Sequence, residues 1–127
     1  MRLLLDTHTF IWWDSDPARL SGVALSAISD PANSVCLSVV SAWEIVIKAQ
    51  LGRLQLRLPL SEIVAQQQAN GLEILPVILA HTLAIAGLAP VHKDPFDRLL
   101  IAQAMVEGME LVSADHSLAH YPIPILW

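Results

Sequence analysis

Residues 2–6 are Arg2-Leu3-Leu4-Leu5-Asp6, three consecutive leucines that end in a carboxylate. A short apolar run without polar alternation is typical of a strand that is buried on both faces of a parallel sheet. Similar short runs recur along the chain, and segments with helical spacing separate them. These runs are residues 34–38, 72–75, 110–112 and 124–127. The alternation predicts an α/β fold, in which two layers of helices cover a central parallel sheet of four or five short strands.

The helices are predicted from apolar spacing and from residues that end helices. Several of these segments stop at a glycine or at Asn70-Gly71, which suits the left-handed turn at a helix C-terminus. The apolar stretch Leu72–Val91 is broken by Pro76 and Pro90, so it is interpreted as a strand, a turn and a buried helix rather than a membrane span. The predicted helices cover residues 10–13, 18–29, 41–51, 60–69, 80–88 and 95–106, with a short helical turn after Asp115.

Composition limits the kind of protein this is. The chain has 127 residues, of which 54% are hydrophobic and only 15% are charged, and its net charge is −5. We expect a single domain over residues 1–127, located in the cytoplasm, with some apolar surface that is exposed or covered by a partner. The negative charge argues against holding nucleic acid by general electrostatic attraction. The single cysteine, Cys36, excludes a disulfide framework within one chain and is predicted to be a buried thiol.

Four carboxylates occupy equivalent places in the predicted fold. Asp6 follows the first strand, and Asp115 follows the strand at residues 110–112. Glu44 and Asp97 are each predicted in the first turn of the helix after a strand or loop. Ligands of open parallel sheets bind beyond the carboxyl ends of the strands. We therefore expect these four side chains to face one crevice.

Helix capping is the competing explanation for two of these acids. Ser41-Ala42-Trp43-Glu44 fits a capping box, and Asp94-Pro95-Phe96-Asp97 is similar, with proline at the first helical position. Asp6 is harder to explain, because a carboxylate that ends an apolar strand is costly unless it is paired or bound to a cation. Four carboxylates in one crevice repel one another unless a hard divalent cation neutralises them. The acids thus predict a Mg²⁺ or Mn²⁺ site suited to phosphodiester hydrolysis.

Four segments resemble the PIN-domain nucleases, and within them the VapC-like toxins of bacterial type II toxin–antitoxin pairs. The segments are Leu4–His8, Ser41–Ile45, His92–Ala104 and Leu111–Asp115, in the order that the family has them. The resemblance implies a three-layer α/β/α PIN-like fold and metal-dependent endonucleolytic cleavage of single-stranded RNA. It also implies a homodimer and a cognate antitoxin that silences the enzyme.

The resemblance also implies roles for individual residues. Asp6, Glu44, Asp97 and Asp115 would be the catalytic acids and the ligands of Mg²⁺ or Mn²⁺. Ser41 would orient a water or a phosphate. Apart from the resemblance, Arg98 flanks Asp97 and is a candidate for contacts with RNA phosphates. Asp94 is explained as the N-cap of the helix at Pro95. The roles of His92 and of the tryptophans stay open.

Two other functions compete with the nuclease. Asp6 at the end of an apolar strand also suits a haloacid dehalogenase-like phosphatase with a covalent aspartyl intermediate, although a second aspartate two residues later is missing. A non-catalytic partner-binding module, in which the acids only cap helices, is the third candidate. His116 and His120 have a helical spacing that zinc sites use, but no further motif supports zinc, so we expect solvated or capping side chains.

Overall fold

The strands form one parallel sheet in the computed structural model, which describes residues 1–90 and 93–127. Their order across the sheet is β3-β2-β1-β4-β5, so β1 lies in the centre between β2 and β4. Leu5 pairs with Leu37 of β2 and with Val112 of β4, which brings three strand ends to the same edge. The strands are β1 (Arg2–Leu5), β2 (Ser34–Ser38), β3 (Glu73–Leu75), β4 (Glu110–Val112) and β5 (Ile125–Leu126).

The helices alternate with these strands as the sequence predicts. They are α1 (Thr7–Ser15), α2 (Gly22–Ser29), α3 (Val39–Gln50), α4 (Leu60–Ala69), α5 (Leu79–Ile85) and α6 (Pro95–Glu107), with short 3₁₀ helices at Pro17–Arg19 and His116–His120. None of the helices in the described ranges is long and apolar enough to span a membrane.

Helices cover both faces of the sheet. Leu4 of β1 belongs to a core that contains residues of α5 and α6, whereas Leu3 and Leu5 belong to a second core with residues of α1, α2 and α4. Helix α3 contributes to both cores, with Val40 in the first and Ile45 in the second. Alternate strand residues thus face opposite helical layers, and the predicted three-layer α/β/α fold is confirmed.

Besides the starts of α1 and α3, which lie earlier than predicted, two predicted helices differ from the structure in continuity or burial. The segment 18–29 is divided, because Ser21 accepts a hydrogen bond on Oγ from the N–H of Ala24 (3.0 Å) and begins α2 there. The segment 80–88 was expected to be a buried helix, but in α5 the side chains of Leu79 and Leu83 are 72% and 65% exposed. Leu75, before α5, and Leu88, after it, are buried instead.

Cys36 is buried in the centre of β2, as predicted. Burial, together with the nearby carboxylate of Glu73, raises the pKa of this thiol to about 11. The thiol therefore stays protonated at neutral pH and behaves as a small core side chain.

Candidate active site

The site lies where the central strands end. The N–H of Asp6, the first residue after β1, donates to the carbonyl oxygen of Val112 at the end of β4 (3.1 Å). The hydroxyl of Thr9 donates to the same oxygen over 3.0 Å. These two bonds hold the first turn of α1 against the end of the neighbouring strand.

Asp6 is also the N-cap of α1. Its Oδ1 accepts a hydrogen bond from the N–H of Thr9 (2.8 Å), and its backbone is extended. The sequence did not indicate this cap, which gives the carboxylate one hydrogen-bonding partner. Capping engages one oxygen only, so Oδ2 can still face a cation or a water.

Asp115 has a similar place after β4. It caps the 3₁₀ helix at 116–120, because its Oδ1 accepts from the N–H (3.0 Å) and the hydroxyl (2.7 Å) of Ser117. Asp6 and Asp115 line one open pocket of about 290 Å³, together with His8, Trp12 and Ala114. The structure thus brings together two of the four predicted acids across adjacent strands.

Glu44 lies deeper in the protein, on the buried side of α3. Its Oε1 accepts a hydrogen bond from the hydroxyl of Thr7 (2.6 Å), the residue after Asp6. Its Oε2 forms an ion pair with Lys48 (2.5 Å), one helical turn later. The carboxylate therefore has a cationic partner and is connected to the residue beside Asp6.

The predicted capping box at Ser41 and Glu44 is wrong. Helix α3 begins at Val39, and Ser38 is its N-cap, with Oγ accepting from the N–H of Val40 (3.0 Å). Capping therefore explains neither residue. Instead, the hydroxyl of Ser41 is buried, and no residue of the described ranges forms a hydrogen bond with it. Such a hydroxyl is costly unless a water or a ligand group satisfies it.

Asp97 is the third residue of α6 and is half-buried. Asp94, and not Asp97, caps this helix: its Oδ1 accepts from the N–H groups of Phe96 (2.8 Å) and Asp97 (3.2 Å), which confirms the predicted cap. Arg98 donates from Nη1 to the carbonyl of Ala89 (3.0 Å) and from Nη2 to that of Ile85 (3.4 Å). These bonds give Arg98 a structural role at the end of α5, which the sequence did not indicate.

The four acids are not gathered into a ready metal cage. Within residues 1–90 and 93–127, no three His, Cys, Asp or Glu side chains are grouped closely enough to hold a metal ion. Of the four predicted ligands, Asp6 and Asp115 line one pocket, and a single site with all four acids stays a prediction. Two carboxylates and several waters are nevertheless a common ligand set for Mg²⁺. The residues present fit a hard divalent cation.

Among the described residues, three further candidates, His116, His120 and Trp43, are not in the lining of this pocket. His116 and His120 are both exposed, as predicted, and neither belongs to a metal-binding group within the described part of the chain. Trp43 lies on α3 and contacts the ring of Phe96 edge to face, with 5.1 Å between the ring centroids. His92 lies outside the described residues.

Comparison with known proteins gives the family. The PIN domain family matches residues 3–124. The chain belongs to the PIN-domain family. Among the relatives of this PIN domain is ribonuclease VapC22 of Mycobacterium tuberculosis, which is 32% identical over 124 residues, covering 96% of this chain and 93% of that protein. The similarity to this relative is consistent with the resemblance of the four sequence segments to VapC-like proteins.

Solved structures have the same fold as this PIN domain. The DNA-bound VapBC of Salmonella typhimurium has a TM-score of 0.69 at 19% identity, covering 98% of this chain and 96% of that chain. VapBC2 of Rickettsia felis, bound to a DNA fragment from its promoter, has a TM-score of 0.67 at 14% identity and covers 98% and 97%. At sequence identities of 14% and 19%, these similarities show a shared fold.

Proposed function

We propose that this PIN-family chain is a Mg²⁺- or Mn²⁺-dependent endoribonuclease that cleaves single-stranded RNA and serves as the toxin of a toxin–antitoxin pair. The observation that carries the proposal is the pocket shared by Asp6 and Asp115 at the ends of two adjacent strands. A relative that is 32% identical is named a ribonuclease, which supports RNA as the substrate. We further propose that residues 1–127 form one PIN domain and act in the cytoplasm.

The chemistry follows from the oxygen donors around this pocket. Asp6 and Asp115 would hold the cation, with Glu44 and Asp97 completing its surroundings directly or through water. When bound, Mg²⁺ or Mn²⁺ polarises the scissile phosphodiester and activates a water. In this hydrolysis a water oxygen would bond to phosphorus as the bond from phosphorus to the 3′ oxygen breaks. The water would lose a proton and the 3′ oxygen would gain one, which leaves a 3′-hydroxyl and a 5′-phosphate. The cation also explains how an acidic chain can act on a polyanion.

Three neighbouring side chains prepare this arrangement. Thr7 fixes one oxygen of Glu44, and Lys48 neutralises the other, so the buried carboxylate keeps a fixed position. Ser41, with its unsatisfied hydroxyl one turn before Glu44, would orient a water or a phosphate oxygen. Membership of the PIN family argues against the haloacid dehalogenase-like phosphatase.

The negative charge of Asp6 and Asp115 can be removed while each residue keeps its hydrogen bond as a helix N-cap. Asparagine caps helices about as well as aspartate, so Asp6→Asn and Asp115→Asn should fold normally. We expect each variant to lose RNA cleavage by about 100-fold or more, because the divalent cation supplies several kcal/mol of charge stabilisation. The matched control is Asp30→Asn, an exposed aspartate before β2 at the opposite edge of the sheet.

The assay uses the full chain, single-stranded RNA and either Mg²⁺, Mn²⁺ or EDTA. The proposal predicts cleavage by the native chain and by Asp30→Asn, 5′-phosphate ends, no covalent intermediate and no cleavage in EDTA. Full cleavage by both Asp6→Asn and Asp115→Asn would overturn the site. A native chain that cleaves no RNA with either ion would favour the non-catalytic binding module.

An antitoxin partner is the second part of the proposal. The solved structures with this fold include VapBC proteins and one described as a toxin–antitoxin complex from Klebsiella pneumoniae. We expect the product of a neighbouring reading frame to bind this chain and to inhibit its RNA cleavage. Co-purification of the two proteins, followed by the cleavage assay on the complex, tests this expectation. An unchanged cleavage rate in the complex would contradict it.

A further inference from the structure

A second open groove, of about 450 Å³, lies beside the pocket of Asp6 and Asp115. His8 and Trp12 line both of them, so the groove continues the acidic pocket along α1 and the end of α3. Both side chains extend from the helix that Asp6 caps. Whatever lies in the groove therefore passes directly beside the proposed catalytic acids.

The groove concentrates positive charge in an acidic protein. The whole chain has only seven Lys and Arg residues, and three of them, Arg19, Lys48 and Arg53, line this groove. Lys48 is paired with Glu44, so Arg19 and Arg53 supply most of the uncompensated charge. One acid, Asp16, also lines the groove and opposes them.

Local structure explains how these cations come together. Gly52, with a φ of +70°, ends α3 in the left-handed conformation and turns the chain back. The N–H of Arg53 then donates to the carbonyl of Lys48 (2.9 Å). From the other side, the guanidinium of Arg19 lies 4.5 Å from the ring centroid of Trp12, a cation–π contact.

We propose that this groove binds the single-stranded RNA segment next to the scissile phosphate. Arg19 and Arg53 contact backbone phosphates, and a base stacks on the flat surface that Arg19 and Trp12 form. This inference rests on the proposed function, because it places the substrate of the same site. Cations interleaved with an aromatic ring are the usual features of single-strand binding.

An acidic segment of a protein partner is the competing occupant. Such a segment could pair with Arg19 and Arg53, but its binding would not require that the groove continue into the pocket of Asp6 and Asp115. RNA explains both the positive charge of the groove and its continuity with the acidic pocket, because a strand that is cut at the acids must extend along the surface beside them. Binding of RNA and of a partner can be measured separately, which makes the two occupants distinguishable.

The first experiment measures binding without cleavage. The full chain with Asp6→Asn is titrated into a fluorescein-labelled, mixed-sequence single-stranded RNA of 20 nucleotides, at several salt concentrations, with anisotropy as the readout. Adding Arg53→Gln or Arg19→Gln should weaken binding and reduce the slope of log affinity against log salt by about 0.7 for each lost phosphate contact. Trp12→Ala should weaken binding on the order of tenfold through lost stacking.

Two matched variants separate the groove from general effects of charge. Arg2→Gln removes the same charge at the amino end of β1, away from the groove, and should leave RNA affinity and salt slope unchanged. Asp16→Asn removes the opposing acid and should tighten binding. A variant in which the groove had unfolded would bind RNA more weakly. Tighter binding by Asp16→Asn would therefore report the removed negative charge and not a loss of structure. Circular dichroism confirms that each variant is folded.

Cleavage kinetics keep this inference separate from the proposed function. In the otherwise native chain, Arg53→Gln and Arg19→Gln should raise KM and leave kcat within about twofold, since they act on binding rather than on the reacting atoms. Cleavage with unchanged KM and unchanged RNA affinity in both variants would overturn the groove and leave the nuclease standing. The same result, combined with weakened binding of the partner protein, would assign the groove to that partner. RNA binding that depends on both arginines in a native chain without cleavage would support the groove and contradict the nuclease.

Discussion

Both oxygens of the Glu44 carboxylate have partners in the protein. Glu44 is 4% exposed, and its two oxygens are bound by Thr7 and Lys48. A buried carboxylate needs such partners, because the desolvation of an unpaired charge costs several kcal/mol. Thr7 follows Asp6 directly, so its hydroxyl connects the first catalytic segment to α3. We interpret Thr7 as a positioning residue.

Replacing Thr7 with valine tests this role. The substitution keeps the side-chain shape and removes the hydroxyl, so we expect the free energy of unfolding to fall by about 1.5–3 kcal/mol, as for other hydrogen bonds to charged groups. RNA cleavage per folded molecule should also fall, because Glu44 is no longer fixed. Urea unfolding and single-turnover cleavage measure the two effects.

The control for Thr7 is an exposed threonine with a local hydrogen bond. Thr82 donates to the carbonyl of Leu79 within α5 (2.8 Å), so Thr82→Val should change stability by less than about 1 kcal/mol and leave cleavage unchanged. A Thr7→Val protein that is less stable but cleaves RNA at the native rate when folded would contradict the positioning role.

At the scale of the elements, the sequence predicts helix α6 better than helices α1 and α3. Asp94 and Pro95 are strong start signals, and the helix begins there. The cap at Asp6 was missed because Thr7-His8-Thr9 has no apolar spacing to indicate a helix. For α3 the cap was placed at Ser41 instead of Ser38, because β2 passes into the helix without a loop and either serine fits the pattern.

The contacts between elements could not be predicted from the sequence. Asp6 and Asp115 lie at the carboxyl side of the parallel sheet, as predicted, because each follows a strand and that inference does not depend on strand order. The bond between Thr7 and Glu44, and the bond from Arg98 to Ile85 at the end of α5, join residues whose proximity depends on helix packing. Local propensity contains no information about such pairs. The four acids could be named because the sequence segments that contain them resemble those of the family.

The cap of α6 provides a prediction at this scale. Asp94→Asn should keep both capping bonds and native RNA cleavage, which would exclude a catalytic charge at this position. Asp94→Ala should lower the free energy of unfolding by about 1 kcal/mol and reduce cleavage, since it loosens the turn that carries Asp97. Thermal unfolding and the cleavage assay report the two effects.

A second helix cap controls for general loss of stability. Ser21→Ala removes the cap of α2, in the other helical layer, and should cost a similar free energy without changing cleavage by the folded protein. If Asp94→Asn abolished cleavage in a stable protein, the charge of Asp94 would have a direct role that capping does not explain.

At the scale of the whole molecule, the low charged fraction has a visible consequence on the surface. Val39, Trp43 and Val46 are 44%, 58% and 41% exposed, and their i, i+4, i+7 spacing places them along one stripe of α3. The prediction of exposed apolar surface is therefore confirmed. The family resemblance implies a homodimer, and we propose that a second copy of the chain covers this stripe. Both subunits of a twofold dimer would then use the same patch.

A charge in the stripe should separate such a dimer. Val46→Glu places a carboxylate where the two copies would meet, and a buried, unpaired charge costs several kcal/mol, so we expect monomers at micromolar concentration. Val23→Glu, at the 58% exposed valine of α2, makes the same substitution away from the stripe and should leave the dimer intact. Sedimentation equilibrium of the native chain and both variants measures the molecular mass directly. A native chain that sediments as a monomer, or a Val46→Glu protein that remains a dimer, would show that α3 is not the subunit interface.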